Sequence, residues 1–524
     1  MDLQLTLLFV NFPTALKLAL AYSRHITTVR TGTIVSTAQH NVFLQGMRPN
    51  PMLEHFEVRN FGLDLASASR LSEVIQKSSQ LKSVVLYDCG LSRKGMKLVL
   101  KALKHCNNLT SLHIYDPRLK EDAATHLAEL MKDSKCLKDL VLEQVPESAL
   151  EITVAALEEC SSIENFTVNA SSAVASCMSC LVDALKANKS LKTLELNQCE
   201  LEETDANLLA QALRCDVSLQ KLRLSGNRLR DSGAKHLAEA LETNQSLREL
   251  DITWNQLTEV SLLQFLQSLM LNTSVEVVRV GALCNDHGEE PLQLDKGLEC
   301  CHRIWPASNT AVLDELARTV SRNCKDIKKI CISSSVGTRI LPVIYALETN
   351  CYITELCIEL NSDMNNEIAK AIAQLLRATK CLNSLSFSCC LRQNAMATLL
   401  NGLSSNDTVG RVEVPAVFEM QTSEAVSAML EANKTLHSFI FEDSYLGEKT
   451  LKMFATHFPK NYTISKFGSP RQGIFGQSSC DAIAILDVVR RNQQLVNRAV
   501  RFVLGTCRDC VLQRGRTCAV GRKS

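Results

Sequence analysis

Apolar residues recur in this chain with a period close to 28, and no other feature constrains the fold as tightly. The phase-setting positions are Leu53, Leu81, Leu109, Leu137, Ile163, Leu191, Leu219, Leu247, Val275, Ile327, Ile353, Leu382, Val409, Leu436 and Ile464. Of the fourteen intervals between them, eight are 28 residues, five are 26 to 29, and one is 52. Self-similarity kept in phase over more than 400 residues points to a stacked array rather than a string of globular domains.

The chemistry of one unit explains the spacing. Leu219, Leu222 and Leu224 sit at offsets of three and two, which suits a short strand with alternate side chains pointing inward. Asn227 follows, where a short amide can satisfy backbone groups as the chain leaves the strand. Leu229 returns to the core. Ala234, Leu237, Ala238 and Leu241 then recur at three and four, one face of a helix, with Asp231 or Ser232 as its expected N-cap. A lone unit cannot bury both faces, but stacked units can. The expected fold is therefore α/β: a curved solenoid with a parallel sheet on the concave face and helices on the convex face, because the helix layer is the wider.

The pattern L-x-x-L-x-L-x-x-[NC]-x-L, the helix segment Leu237 to Leu241, and the alternation of Cys199 with Asn227 and Asn255 resemble the ribonuclease-inhibitor class of leucine-rich repeats. That class includes ribonuclease inhibitors, the repeat domains of nucleotide-binding innate immune receptors, and Ran GTPase-activating proteins. The resemblance covers roughly residues 51 to 470. It implies the solenoid fold and leaves function open, because the motif is scaffold.

Composition narrows the function. The net charge is +1 and aromatics are 5 %, so neither a chain-wide basic field nor a stacking platform for nucleic acid is present. No Gly-Lys dipeptide exists, which excludes a Walker A loop, and no G-x-S-x-G, H-E-x-x-H or EF-hand pattern occurs. No enzyme, cofactor or resident metal is expected. The 22 cysteines are scattered, several in apolar runs (Cys331, Cys357, Cys381), and read as small buried hydrophobes with free thiols in a reducing, cytoplasmic setting. Six N-x-[ST] triplets, at Asn188, Asn244, Asn272, Asn406, Asn433 and Asn461, each stand three residues before a phase position. They mark the helix-to-strand turn rather than glycosylation.

Three departures remain. Residues 1–50 are expected to be a capping or targeting segment; Leu3 to Val10 with Ala19 to Ala21 has signal-peptide features, so secretion is the minority reading. The 52-residue interval is expected to hold an insertion at 284–309, with Trp305, His287, His302, Cys284, Cys300 and Cys301. Without a C-x-x-C pair to organise metal ligands there, a packed loop is the simpler reading. Residues 471–524 are expected to form a helical cap and a basic tail, with nine basic and two acidic residues from Asp487 onward. The tail's Cys507 and Cys510, with Cys518, lack a fourth ligand in register. No run is long enough for a membrane-spanning helix.

Function then falls to the sheet face, onto which the third, fifth and seventh positions of each unit project. Early units place Val85, Tyr87, His113, Tyr115 and Val141 there, an aromatic and apolar column. Middle units place Glu195, Lys221, Arg223, Glu249, Asp251 and Trp254 there, a mixed-charge strip suited to steering. The expected role is a non-catalytic scaffold binding a protein partner on this face. The alternatives are a GTPase activator resembling the Ran-directed class, or a substrate receptor of a ubiquitin ligase.

Overall fold

The computed structural model describes residues 4–7, 27–31, 51–59, 62–116, 118–215, 218–281, 283, 299–334, 337–360, 363–389, 391–415, 420–441, 447–468 and 480–503. Residues 284–298, with His287 and Cys284, and the tail with Cys507, Cys510 and Cys518 lie outside them, as does most of the N-terminal segment read for signal features. The chain divides into two compact units, residues 1–289 and 290–524.

The first unit is a parallel sheet faced by helices. Its strands are β1 (Gln4–Leu7), β2 (Thr28–Thr31), β3 (His55–Arg59), β4 (Ser83–Tyr87), β5 (Ser111–Tyr115), β6 (Asp139–Glu143), β7 (Asn165–Asn169), β8 (Thr193–Asn197), β9 (Lys221–Arg223), β10 (Glu249–Asp251) and β11 (Val277–Arg279). Each pairs in parallel with the next in sequence, as adjacent repeats must. β1 and β2 extend the sheet beyond the first phased leucine. Helices such as Arg93–Leu103, Glu203–Arg214 and Arg230–Leu241 fill the other layer. The core sits between the layers: Leu219, Leu222, Leu224, Leu229, Leu237 and Leu241 are all essentially inaccessible. Each buried leucine contributes about 1.5–3 kcal/mol relative to exposure.

Buried asparagines join one repeat to the next. Asn244 donates from Nδ2 to the Leu213 carbonyl 31 residues earlier (2.7 Å) and accepts at Oδ1 from the Ser246 and Leu247 N–H groups (3.1 and 2.8 Å). Asn188, Asn272, Asn406, Asn433 and Asn461 repeat the pattern onto Leu157, Leu241, Leu376, Leu403 and Leu430. All six are buried, so their N-x-[ST] triplets are turn chemistry and a glycan would have to displace the ladder. Asn227 forms a second rung at the strand exit. It accepts from the Cys199 and Leu201 N–H groups and donates to the Leu196 and Leu224 carbonyls.

The expected N-cap at Asp231 is not formed. The helix begins at Arg230, with Leu229 in the cap position and no side-chain cap. The Asp231 carboxylate instead reaches the following repeat, where it accepts from Thr258 N–H and Oγ1 (2.9 and 2.6 Å) and from the Ser261 hydroxyl. Burial opposes its charge, but those bonds hold its pKa below the usual carboxylate value. The reason is the tight helix layer, which places the N-terminal turn of one helix beside its neighbour's.

The second unit begins with a short 3₁₀ helix, Glu299–Arg303, and the two-residue strand β12 (Ile304–Trp305). Cys301 and Ile304 are buried 26 residues before Ile327 and Ile330, where a unit's first two apolar positions belong. With the helix Thr310–Ser321, this stretch forms a degenerate repeat, and Ala307 bridges in parallel to Ile332. Trp305 is buried and donates to the His302 carbonyl (3.0 Å). The six-stranded sheet follows: β13 (Lys329–Ser334), β14 (Glu355–Leu360), β15 (Ser384–Ser388), β16 (Arg411–Val414), β17 (Ser438–Phe441) and β18 (Lys466–Gly468). At Gly402 an added Cβ would stand 2.9 Å from the Ala373 Cα, so helix spacing there demands glycine.

A single helix, Cys480–Val503, packs at the end of this unit. Its Asn492 is fully buried and donates to the Asn461 and Ile464 carbonyls (3.2 and 2.9 Å), taking the place of the asparagine that another repeat would supply. Arg491 donates to the Pro459 and Asn461 carbonyls and lies over the Tyr462 ring (4.1 Å). These bonds satisfy carbonyls that the last repeat would otherwise leave unpaired.

Candidate protein-interaction face

In β4, β5 and β6 burial alternates, with every second residue turned out of the core. The parallel register stacks those residues into rows. Val85, His113 and Val141 stand side by side, and Arg59, Tyr87, Tyr115 and Glu143 form the next row. The Tyr87 and Tyr115 rings stack at 4.3 Å and 16°, and the Arg59 guanidinium lies 5.0 Å from the Tyr87 ring centroid. Such stacking and cation–π contacts hold the rings in place. The Tyr115 hydroxyl donates to Gln144 Oε1 at 2.8 Å.

His113 sits inside this patch. Its ring stands at 85° to the Tyr87 ring with centroids 6.2 Å apart, and Nε2 lies 3.1 Å from Glu143 Oε1 but off hydrogen-bond alignment. Burial pushes the imidazole below its ordinary value; the Glu143 carboxylate opposes this only in part, and Arg59 reinforces it.

Farther along the same sheet, charged side chains pair with one another. Arg223 donates to Glu195 (2.6 Å) and approaches Glu249 (3.5 Å), which Arg279 (3.4 Å) and Lys221 (3.4 Å) also contact. Burial would raise the Glu249 carboxyl, yet Arg223, Arg279 and Lys221 together hold it below the usual value. Glu195, Arg223, Glu249 and Arg279 line a groove of about 420 Å³ with Asn197, Ser225 and Asp251. Asp251 is turned toward its own strand end, accepting from Thr253 N–H and Oγ1 (3.1 and 2.8 Å).

The structure thus groups Val85, Tyr87, His113, Tyr115 and Val141 in one patch and Lys221, Arg223 and Asp251 in another. Trp254 belongs to neither row. It lies in the turn after β10 at φ +58°, with 74 % of its surface exposed. Being the eighth position of its unit, it falls outside the odd positions that face outward. Sequence reasoning missed Arg59, Glu143 and Arg279, although each occupies a fifth or seventh position and the same rule reaches them.

The cysteine reading needs correction at two positions, since Cys357 and Cys381 are half-buried rather than buried. Among the described residues every cysteine is a free thiol, and burial pushes Cys89, Cys177 and Cys301 up to about 12. Cys357, however, is half-buried on the outward side of β14, because alternation along that strand turns Leu356 and Ile358 inward instead. Cys331, Cys357 and Glu359 form the group of metal-ligating character among the described residues.

A leucine-rich repeat family model matches residues 216–238 and 243–262. The chain is also 31 % identical over 81 residues to leucine-rich repeat-containing protein 45 of Gallus gallus, across 16 % of this chain and 12 % of that protein. Among solved structures, leiomodin-1 actin-binding site 2 aligns at 18 % identity, covering 39 % of this chain and 97 % of its own, with a TM-score of 0.25. The matched units and the strand–helix units repeated on both sides of them make this a leucine-rich repeat protein of the α/β solenoid type. Proteins built this way act chiefly through protein contacts. No helix among the described residues is long and apolar enough to cross a membrane.

Proposed function

We propose that this chain is a non-catalytic interaction scaffold, of the ribonuclease-inhibitor-like class, that grips a protein partner on the sheet face of its first unit. The carrying observation is the stacked Tyr87–Tyr115 pair, held by Arg59 and Gln144 and flanked by Val85, His113 and Val141. Rigid half-buried aromatics lose little side-chain entropy on binding, and they dominate interface energetics when clustered. The charged groove beside them has most of its charges paired internally, so it supplies register and rim contacts rather than the anchor. Free, high-pKa thiols support a cytoplasmic setting.

Affinity capture from native cells, followed by mass spectrometry, tests the reading. Tyr87→Ala with Tyr115→Ala is expected to abolish capture of the partners recovered with the wild type. Equal recovery of those partners by the double variant would remove the patch as the site.

A further inference from the structure

The register of β13 and β14 sets Cys331 directly opposite Cys357, and Glu359 follows two residues later on the same side of β14. Glu359 Oε1 stands 3.5 Å from Cys331 Sγ and 3.8 Å from Cys357 Sγ, and the three ligand atoms all lie within 4.8 Å of one another. A tetrahedral zinc ion with Zn–S of about 2.3 Å and Zn–O of about 2.0 Å requires sulfur-to-oxygen edges of about 3.5 Å and a sulfur-to-sulfur edge of about 3.8 Å. The two sulfur-to-oxygen distances are therefore close to the edges of that tetrahedron, and the two sulfurs lie within 4.8 Å of each other.

The surroundings fit the same use. Cys331 is buried, while Cys357 and Glu359 are half-buried, so an ion would be shielded on one side and reachable from the other. The residues opposite Cys357 and Glu359 on neighbouring strands, Ser386 and Ser333, are weak ligands that leave the fourth corner to water. Lys329, the cation on β13, is held by Glu355 at 2.6 Å and lies over the Trp305 ring, which leaves the Glu359 charge to the cluster.

We propose that Cys331, Cys357 and Glu359 form a Zn²⁺ site on the sheet face of the second unit. Binding forms two Zn–S bonds and one Zn–O bond. The two thiols release their protons to solvent, and no electrons change hands. Two thiolates select a thiophilic cation over Mg²⁺ or Ca²⁺. Paired carboxylates are not needed, and the site is independent of the proposed partner face.

The test uses the full chain carrying Cys507→Ser and Cys510→Ser, so that the tail pair cannot contribute, reduced and freed of metal. Titration with Co²⁺ is expected to give a thiolate-to-cobalt charge-transfer band saturating at one equivalent, with two protons released per ion bound; Zn²⁺ then displaces the cobalt with no further proton release. Cys357→Ser is expected to abolish the band. Glu359→Gln should weaken binding at least about tenfold, since loss of a ligand costs no less than loss of its outer support. Cys351→Ser, at an exposed thiol elsewhere in the unit, should change nothing. Circular dichroism confirms that each variant is folded. No saturable band, or one that survives Cys357→Ser, overturns the proposal, as does recovery of Cys331 and Cys357 as a disulfide that Zn²⁺ does not prevent.

Discussion

Two halves of the first unit share one backbone plan and solve its polar problems differently. Beneath the charged half, the position three residues before Leu191, Leu247 and Val275 is Asn188, Asn244 and Asn272, and each of these amides both donates and accepts, while Asp216 takes that position before Leu219. Beneath the aromatic half, the same position is Ser78, Cys106, Ser134 or Cys160. Cys106 donates weakly to the Ile75 carbonyl, 31 residues earlier, at 3.6 Å, whereas Ser134 Oγ accepts from Leu137 N–H at 3.0 Å. Each does part of an asparagine's work. The outer faces diverge as well: Arg223, Glu195, Glu249 and Arg279 satisfy one another by charge, while Tyr87 and Tyr115 stack ring on ring. The lesson is that the strand–helix stack tolerates several polar linkers, and this leaves the outward positions free to specialise.

The sharpest way to break that comparison is at the linkers. Asn244→Ala strips a buried amide that makes donor and acceptor bonds and orphans the groups it served, so urea denaturation should show a loss of about 3 kcal/mol. Cys106→Ala should cost about 1 kcal/mol, since only a weak thiol bond and a small volume disappear. Equal losses would show that the two linkers are equivalent after all.

On the outer face, Arg223→Ala leaves Glu195 and Glu249 half-buried with fewer counter-charges, and should cost about 1 kcal/mol by the same measurement. Arg223→Lys should restore only part of it, because an ammonium cannot serve two carboxylates in a fixed plane. Raising the salt concentration should shrink the difference.

The halves should also separate in pH. His113 is depressed below 6.5, so the unfolded chain takes up that proton first; stability is full above pH 6.5 and falls as pH drops toward the folded value. Glu249 is depressed below 4.5, so its contribution is intact above that pH and is lost only as pH falls through the lower folded value. Denaturation midpoints measured from pH 8 to pH 3 should therefore lose the upper step in His113→Gln and the lower step in Glu249→Gln.

The smallest effect belongs to Trp254. Trp254→Ala should change stability by no more than about 0.5 kcal/mol, as an exposed turn residue allows. It should nonetheless remove the acrylamide-quenchable part of the fluorescence, leaving the signal of buried Trp305.

Much of this molecule was legible from spacing alone. The phase leucines, the outward odd positions and the asparagine turns all follow from short-range periodicity, which one strand and one helix express by themselves. Trp254 was read onto the face from its spacing, but it lies in the turn beyond the end of β10, where strand alternation no longer sets side-chain direction. The Asp231 bonds and the repeat around Cys301 were missed because their partners lie about 27 residues away in a neighbouring unit, beyond local pattern.

What the sequence by itself determined is the unit: its length, its inward residues and its outward ones, because these depend on backbone geometry within some two dozen residues. What only the tertiary structure decided is which outward residues meet. Tyr87 finds Tyr115, Arg223 finds Glu195, and Cys331 finds Cys357 and Glu359 through interstrand register. Such pairings join residues that are distant in the chain, and contacts of that kind exist only once the repeats have stacked.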